Sequence, residues 1–302
     1  MKRIILFFTI VCFMSCVNKT KIVEHDNGNI WKEFQVKNDT VLNGYYREYF
    51  TNEKLKLEHF FQENINIDTS FYYYKTPVEQ LMFKRIWHSK DSIEQIEYYD
   101  DGTFEKKGFV DNAFRKYGKW SFYDKSGILD VVREYYLVNG EQYLNQEWYL
   151  NKNGDTLYYQ SHYIKMIIPR DTFPLNKPVK ALAILESSIF YEKNSEICVL
   201  LPSDGYSFNE DFSNEEEIKL DTFHNLTIDI KNQKWFPNVE FRHFVAFGKK
   251  YNTIGKKKVR GYVLEYYEQE PDSNDMWREE HKKYFEIPIY IKDSINNFTN
   301  RL

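Results

Sequence analysis

The chain has 302 residues, of which 42% are apolar and 18% aromatic, with 25 Tyr and 24 Phe. A chain of this length and composition can bury a core and form about two domains, which excludes an intrinsically disordered protein. Its formal net charge is -4, so no overall positive charge attracts it to nucleic acid or to an anionic membrane. Because flat aromatic side chains pack well on pleated strands, the composition predicts a mainly β protein.

The first residues have the order of a secretory signal. Lys2 and Arg3 supply positive charge, and residues 4–14 form an apolar run. The run ends at Ser15-Cys16 and is too short to cross a bilayer as a mature helix. A buried first strand is the alternative interpretation.

Ser15-Cys16 resembles the lipobox of bacterial lipoproteins, in which the signal is cut before a cysteine that is then acylated. The resemblance implies a signal peptide over residues 1–15, lipidation of Cys16 and a tether over residues 16–21. Several acyl chains would anchor the protein stably without spanning the membrane. The chain is also similar to exported lipoproteins of Bacteroidota, in which surface display follows an acidic cluster after the cysteine. Residues 17–21 contain no acidic residue, which favours the periplasmic face of the outer membrane over the cell surface.

Only Cys198 would remain as a thiol after cleavage and acylation, which excludes a disulfide within the mature chain. This cysteine lies in an apolar run, residues 197–201, that predicts a buried strand. Burial raises a thiol pKa and hides the sulfur, which argues against a catalytic cysteine.

Aromatic pairs recur along the first half of the chain. They begin at Tyr49, Tyr73, Tyr98, Phe122 and Trp148, at separations of 24, 25, 24 and 26 residues. Each pair is followed by a stretch of turn-forming residues and then by an apolar residue, which predicts a hairpin. With one more turn of this kind at residues 26–29, six turns imply six hairpins, whose stacking buries apolar faces that one hairpin cannot bury alone. We expect an elongated, twisted antiparallel β-hairpin repeat array over residues 22–164.

Two segments of this half, residues 44–55 and 118–129, resemble the bacterial MORN-type repeat, roughly Gly-x-Trp-x-x-Tyr-x-x-x-Gly-x-Leu. The resemblance implies a scaffold for assembly, membrane association or protein binding, and some bacterial members are described as antitoxins. It implies no catalytic residue.

One member of each aromatic pair is expected to face the core, because side chains alternate along a strand. The other member faces outward, where a ladder of tyrosines is a candidate surface for stacking on glycans, peptides or lipid edges. A purely structural role is the competing interpretation. The candidate binding aromatics are Tyr49, Tyr73, Tyr74, Tyr98, Tyr99, Tyr123 and Tyr149.

The second half begins with a proline-punctuated linker over residues 165–178. Residues 179–302 then carry short apolar or alternating runs separated by polar loops, which predicts a β-sandwich. Residues 258–266 resemble the late strand of immunoglobulin-like modules in exported bacterial proteins, which implies an immunoglobulin-like sandwich. The predicted strands cover residues 179–185, 196–201, 226–230, 239–247, 259–266 and 284–291.

Charge is clustered in two loops of this half. Acidic residues gather between Glu210 and Glu217. Solvated loops explain such clusters most simply, whereas a basic patch is also a candidate contact for lipid headgroups or an acidic partner. The candidate basic patch is Lys249, Lys250, Lys256, Lys257, Lys258 and Arg260.

The sequence contains no recognisable catalytic or metal-binding motif. Its seven His have no i, i+4 partner or nearby Cys, and no phosphate-binding glycine loop, Gly-x-Ser-x-Gly elbow or calcium loop is present. We therefore expect no metal and no cofactor. The prediction is a lipid-anchored, non-enzymatic binding or scaffolding module of the cell envelope, with an envelope protein or glycan as partner and no nucleic acid. The alternatives are a hydrolase of envelope polymers with its site between the two halves, and a toxin-neutralising partner protein.

Overall fold

A computed structural model describes residues 18–269 and 277–293. The signal segment and the candidate lipidation site Cys16 lie outside these residues. The described chain is mainly β, as the composition predicts, with nineteen strands and one short α-helix in these ranges. It divides into two compact units, Met1–Thr103 and Phe104–Leu302. No helix within the described ranges combines the length and the apolar character that crossing a membrane requires.

The first eleven strands form one antiparallel sheet, in which spatial order follows chain order. This confirms the antiparallel arrangement predicted from the repeat. In the first unit the strands are β1 (Lys19–Glu24), β2 (Ile30–Lys37), β3 (Val41–Tyr49), β4 (Leu55–Gln62), β5 (Ile65–Tyr73), β6 (Leu81–Ser89) and β7 (Ser92–Tyr98). In the second unit they are β8 (Phe104–Val110), β9 (Lys116–Tyr123), β10 (Leu129–Val138) and β11 (Glu141–Tyr149).

Four of the five turns that follow the aromatic pairs share one hydrogen-bond pattern, and the turn after Tyr73-Tyr74 is longer, with the Tyr74 amide donating to the Gln80 carbonyl at 2.9 Å. The Phe50 amide donates to the Lys54 carbonyl at 2.8 Å, and the Glu53 amide donates to the Phe50 carbonyl at 2.9 Å. The turn that begins at Asp124 repeats both bonds. In that turn Gly127 has φ 81°, a left-handed conformation that glycine adopts without steric cost. Local turn chemistry thus sets where each hairpin reverses.

The sixth predicted turn forms, but no second strand follows it in the sheet. The Asn151 amide donates to the Asp155 carbonyl at 2.9 Å, and beyond it two isolated bridges, between Leu150 and Thr156 and between Glu147 and His162, continue the pairing. The chain then enters β12 (Tyr163–Ile167), which belongs to a different sheet.

The rest of the second unit contains two further sheets. One has the order β12-β14-β17, and the other β13-β19-β18-β15-β16. Strand β13 runs parallel to β19, and all other strand pairs of these two sheets are antiparallel. The strands are β13 (Thr172–Pro174), β14 (Val179–Ser187), β15 (Glu196–Pro202), β16 (Leu220–His224), β17 (Phe244–Lys249), β18 (Gly255–Gln269) and β19 (Trp277–Lys292).

Side chains from both sheets share one hydrophobic cluster. Ala183 of β14 and Val245 of β17 contribute from the three-stranded sheet, and Val199, Val263 and Phe285 contribute from the five-stranded sheet. Alternate positions of β14 are buried, which is the period-2 pattern expected when one face of a strand packs on a core. The core of this part of the chain therefore lies between the two sheets.

The other face of the five-stranded sheet is also covered. A second hydrophobic cluster contains Phe212, Tyr262 and Tyr284, and Tyr136 and Tyr143 of β10 and β11 pack against it. The Tyr143 hydroxyl donates to the Lys282 carbonyl at 2.7 Å. The last two strands of the long sheet thus pack on the five-stranded sheet inside the second unit.

Two predicted strands of the second half are corrected. The strand predicted over residues 239–247 begins only at Phe244, because residues 241–243 form a 3₁₀-helix that the Glu240 side chain caps. The apolar run 226–230 forms a turn instead, followed by α1 (Ile230–Gln233). Asn225 causes this, because its side-chain oxygen accepts the Thr227 amide at 3.0 Å and closes a local turn that competes with strand pairing. Strand β16 (Leu220–His224), just before this turn, was not predicted, since its side chains are mostly exposed and give no apolar alternation.

Candidate functional site

A groove of about 900 Å³ lies in the second unit. Leu182 of β14 and Ala246 of β17 lie in its wall, on the side of the three-stranded sheet that faces away from the shared core. Phe223 of β16 lines the part of the groove that lies beside the edge of β17. Trp235 and Phe236, which follow α1, complete the aromatic part of the lining. Apolar walls with a few polar groups are typical of ligand sites.

The rim that carries the aromatic side chains is fixed by local contacts. The Gln233 side chain donates to the Leu226 carbonyl at 2.6 Å, and the ring of Phe236 packs on that of Phe244 with centroids 4.6 Å apart. Trp235, by contrast, is 68% exposed. A large aromatic ring held over a groove on a fixed support, with most of its surface open to water, is suited to stacking on a ligand.

Lys249 is a half-buried charged residue of the groove lining. Its Nζ donates to the Pro202 carbonyl at 2.6 Å. Burial lowers the pKa of the Lys249 ammonium, and the carboxylates of Asp204 and Asp221 act in the opposite direction. Both acids also line the groove, as does Asp229, so the lining holds three lysines and three aspartates. Its role is to hold the groove wall to the end of β15.

Two other lysines give one part of the groove a positive charge. Lys180 of β14 lies directly opposite Gly248 in the strand register, and Lys250 follows the end of β17. Both side chains line the groove and are exposed. Among residues 18–269 and 277–293, neither lysine has a carboxylate within ion-pair distance. An acidic ligand group would therefore find two available ammonium groups here.

The seven candidate binding tyrosines of the repeat lie elsewhere. All are half-buried in the long sheet, and none lines the groove. Some are held by bonds of their own: the Tyr49 hydroxyl donates to Glu33 at 3.2 Å, and the Tyr74 hydroxyl donates to the Tyr98 carbonyl at 2.9 Å. Their role in binding stays a prediction.

The candidate basic patch is divided between different environments. Lys249 and Lys250 line the groove, as described above. Lys258 and Arg260 pair with Glu286 at 2.6 and 2.8 Å, and Arg260 also donates to the carbonyls of Asn209 and Glu210 at 2.8 and 2.7 Å. Residues 256–258, predicted as a loop, lie in strand β18, and Arg260 joins this strand to the acidic loop within one molecule. Lys256 is exposed and Lys257 half-buried.

Cys198 is buried, as predicted from its apolar run. Burial raises the pKa of its thiol to about 11, so the sulfur is protonated and unreactive at neutral pH. No group of three or more His, Cys, Asp or Glu side chains with metal-binding geometry occurs in the described parts of the chain.

A buried ion pair forms a second polar cluster in this unit. Lys283 of β19 donates to Glu265 of β18 at 2.5 Å, and both side chains are 0% exposed. Burial favours the neutral form of Glu265, but the ammonium of Lys283 outweighs it and keeps the pKa of Glu265 below its ordinary value. The hydroxyls of Ser188 and Ser195 also donate to this carboxylate. Because the cluster is closed to solvent, we interpret it as part of the framework.

Sequence reasoning missed the groove because its lining comes from six separated segments of the chain. The one local signal is the aromatic pair Trp235-Phe236, which directly follows the polar residues 231–234. Comparison with known proteins found no family model that matches this chain and no match among curated proteins.

Proposed function

We propose that this protein is a lipid-anchored, non-enzymatic binding module of the bacterial cell envelope, and that the groove of its second unit holds the ligand. The observation that carries the proposal is the groove itself, with an exposed Trp235 on a fixed rim, apolar walls and two available lysines. Apolar walls supply affinity, while a few polar groups orient the ligand. The anchor is inferred from the Ser15-Cys16 exit of the signal segment.

We also propose a classification for the two parts of the chain. The hairpin sheet is a MORN-type array, supported by the 24 to 26-residue spacing of its aromatic pairs. The remaining strands are an immunoglobulin-like module. Its support is the parallel pairing of β13 with β19 at the edge of one sheet, opposite a second sheet of order β12-β14-β17. In this classification the array is the scaffold and the module carries the ligand site.

The proposal is tested by capture from envelope extracts with the full chain as bait. Leu182→Arg places a charge in the groove, and Thr222→Arg on exposed β16, outside the groove lining, is the matched control. We expect the wild type and Thr222→Arg to retain the same envelope component and Leu182→Arg to lose it, while circular dichroism remains unchanged. Equal capture by a folded Leu182→Arg would contradict the proposal.

The hydrolase and the toxin-neutralising partner both stay predictions, since no observation in the groove favours either over binding. The membrane partner of the anchor, the periplasmic orientation and the envelope protein or glycan partner likewise remain proposals.

A further inference from the structure

We propose that the ligand of the groove is an extended polypeptide segment, with an acidic side chain beside an apolar one, which adds as a strand along the open edge of β17. This inference rests on the proposed function and specifies the class of partner. It depends on the main-chain geometry of β17 and on the charge at one end of the groove.

Strand β17 has only one partner strand in the described chain. It pairs with β14, from Ile184 opposite Phe244 to Val179 opposite Lys249, and it is the terminal strand of its sheet. The Phe244 carbonyl accepts the Leu226 amide at 3.1 Å, so the main-chain groups of Phe244 face away from β14.

Main-chain groups alternate between the two sides of a strand, so Ala246 and Gly248 direct their N–H and C=O groups to the same side as Phe244. Both residues line the groove. Within residues 18–269 and 277–293, no other group bonds to the main chain of Ala246 or Gly248 on this side. The groove therefore contains two donors and two acceptors at strand spacing.

An open strand edge is the feature that recognises an extended main chain. Such a row of groups pairs with an added strand whatever its sequence, and the flanking pockets then select its side chains. A glycan or a lipid presents no alternating donors and acceptors at a spacing of about 3.3 Å per residue. The edge thus favours a polypeptide over the other envelope ligands.

The groove also indicates which side chains the segment carries. Phe223 and Trp235 provide apolar surface, and Lys180 and Lys250 provide positive charge. Asp204, Asp221 and Asp229 balance the three lysines over the groove as a whole, so the positive charge offered to a ligand is limited to the end of β17, where Lys180 and Lys250 lie. An acidic residue placed next to an apolar residue complements this arrangement.

The test measures fluorescence anisotropy of a labelled eight-residue peptide, alternating Val with Asp or Thr, on titration with the full chain. A second peptide of the same sequence carries N-methyl groups on alternate amides, which removes strand hydrogen bonds and retains the side chains. We expect the first peptide to bind at least tenfold more tightly than the second. Equal binding of the two peptides would overturn the proposal.

Two variants at one position test the strand edge from the side of the protein. Ala246→Pro removes the outward N–H of an edge strand, where proline is tolerated best, and Ala246→Ser retains that N–H. We expect at least a tenfold loss of peptide affinity in Ala246→Pro and less than a twofold change in Ala246→Ser. Equal affinity of the two folded variants would overturn the proposal, and the N-methylated peptide decides the matter if Ala246→Pro does not fold.

Charge recognition is tested by Lys180→Glu combined with Lys250→Glu. The double variant should lose at least tenfold in affinity for the acidic peptide and gain affinity for a peptide with Lys in place of Asp. If the double variant still preferred the acidic peptide over the Lys peptide, the assignment of an acidic segment would be overturned. The two variants of Ala246 also test whether a second copy of this chain occupies the edge. A wild-type dimer that dissociates in Ala246→Pro but persists in Ala246→Ser would assign the edge to that second copy and overturn the proposal of a peptide ligand.

The two levels of the proposal fail in different ways. If neither peptide binds but Leu182→Arg still abolishes envelope capture, the groove binds a ligand that is not an extended polypeptide. If Leu182→Arg captures its envelope component normally, the groove is not the ligand site at all.

Discussion

In the first unit, Val36 and Ile93 are the only fully buried apolar side chains among residues 18–103, whereas the second unit encloses two hydrophobic clusters. The first unit consists of consecutive strands of one sheet, and its described part contains no helix. A side chain on such a sheet is covered by its cross-strand neighbours rather than by a second layer. In the second unit, side chains of one sheet are covered by those of another.

Cross-strand pairs replace a core in the first unit. Arg47 and Glu58 form an ion pair of 2.6 Å between β3 and β4, and half-buried rings touch their neighbours from strand to strand. Tyr72 stacks on Phe83 with centroids 4.1 Å apart, and the Arg85 guanidinium lies 5.3 Å from the Tyr72 ring. The line of ring contacts is Phe34, Tyr46, His59, Tyr72 and Phe83.

The two units differ in how much one side chain contributes to the free energy of unfolding. A cross-strand pair is worth about 0.2–1 kcal/mol, whereas truncating a fully buried aromatic costs about 3–5 kcal/mol. The second unit can therefore support a groove at a defined geometry, because its strands are fixed by burial on one face or both. The first unit spreads its stability over many small contacts, which suits a scaffold.

The largest expected effect is at the buried ion pair of the second unit. Lys283→Ala leaves the Glu265 carboxylate without its partner at 0% exposure, and we expect the free energy of unfolding to fall by about 3–5 kcal/mol. The matched control is Lys282→Ala, one residue earlier, whose ammonium pairs with Glu215 and is 36% exposed. Loss there should be at most about 1 kcal/mol. Urea denaturation measures the free energy of unfolding of both variants. Equal losses would contradict the expected difference between the buried and the exposed ion pair.

The next effect is a pH dependence that also belongs to the second unit. Burial, with the positive charge of Lys283, lowers the pKa of His162 from 6.5 to about 4. Burial also lowers the pKa of His281 to about 4, and Lys283 and His162 add to that shift. The unfolded chain binds a proton below about pH 6.5 and the folded chain only near pH 4.

Stability should therefore be constant with respect to these groups above pH 6.5 and fall as the pH drops from 6.5 to 4. The loss is on the order of 3 kcal/mol per histidine at pH 4. Urea midpoints measured across this range test the prediction. The double variant His162→Gln, His281→Gln should show a smaller slope than the wild type, and an identical slope would contradict the assignment.

A smaller effect is expected where β11 meets β19. Asn145 is fully buried, and its side chain accepts the Tyr284 amide at 2.6 Å and donates to the Tyr284 carbonyl at 2.9 Å. Asn145→Ala leaves both main-chain groups of Tyr284 without this partner. We expect the free energy of unfolding to fall by about 1–3 kcal/mol, the cost of an unsatisfied buried polar group. Hydrogen exchange should accelerate at the Tyr284 amide, and an unchanged rate would show that the bond does not hold β11.

The smallest effect is expected in the first unit. Tyr72→Leu removes the stacking on Phe83 and retains an apolar side chain, so we expect a loss of about 0.5–1.5 kcal/mol. Tyr284→Leu is the counterpart in the second unit, where the ring is 4% exposed, and its loss should be larger. Equal losses in urea denaturation would mean that the first unit has a core after all.

The sequence predicted the long sheet because the information for it is local. Each turn is set by residues such as Asp124 and Gly127 within five positions, and the aromatic spacing repeats the unit. Strand β14 was predicted for the same reason, since residues 179–185 form a short apolar run in the sequence.

The groove could not be predicted in this way. Lys180, Phe223 and Trp235 come together only when β14, β16 and α1 have been placed by long-range pairing. The apolar run 226–230 was wrongly predicted as a strand, because the spacing of apolar residues does not indicate the turn that Asn225 closes. Similarly, the clustered charge of the basic patch gave no indication that Arg260 turns inward to the carbonyls of residues 208–210.

Site-specific photo-crosslinking in cells tests most directly whether the groove, rather than the aromatic sheet of the first unit, binds the partner. Benzoylphenylalanine replaces Trp235 in one variant and Tyr73 in another, and adducts are separated by electrophoresis after irradiation. We predict a discrete adduct from the position in the groove and none from the position in the sheet. An adduct from the Tyr73 position alone would contradict the proposed site and would indicate that the repeat array binds the partner.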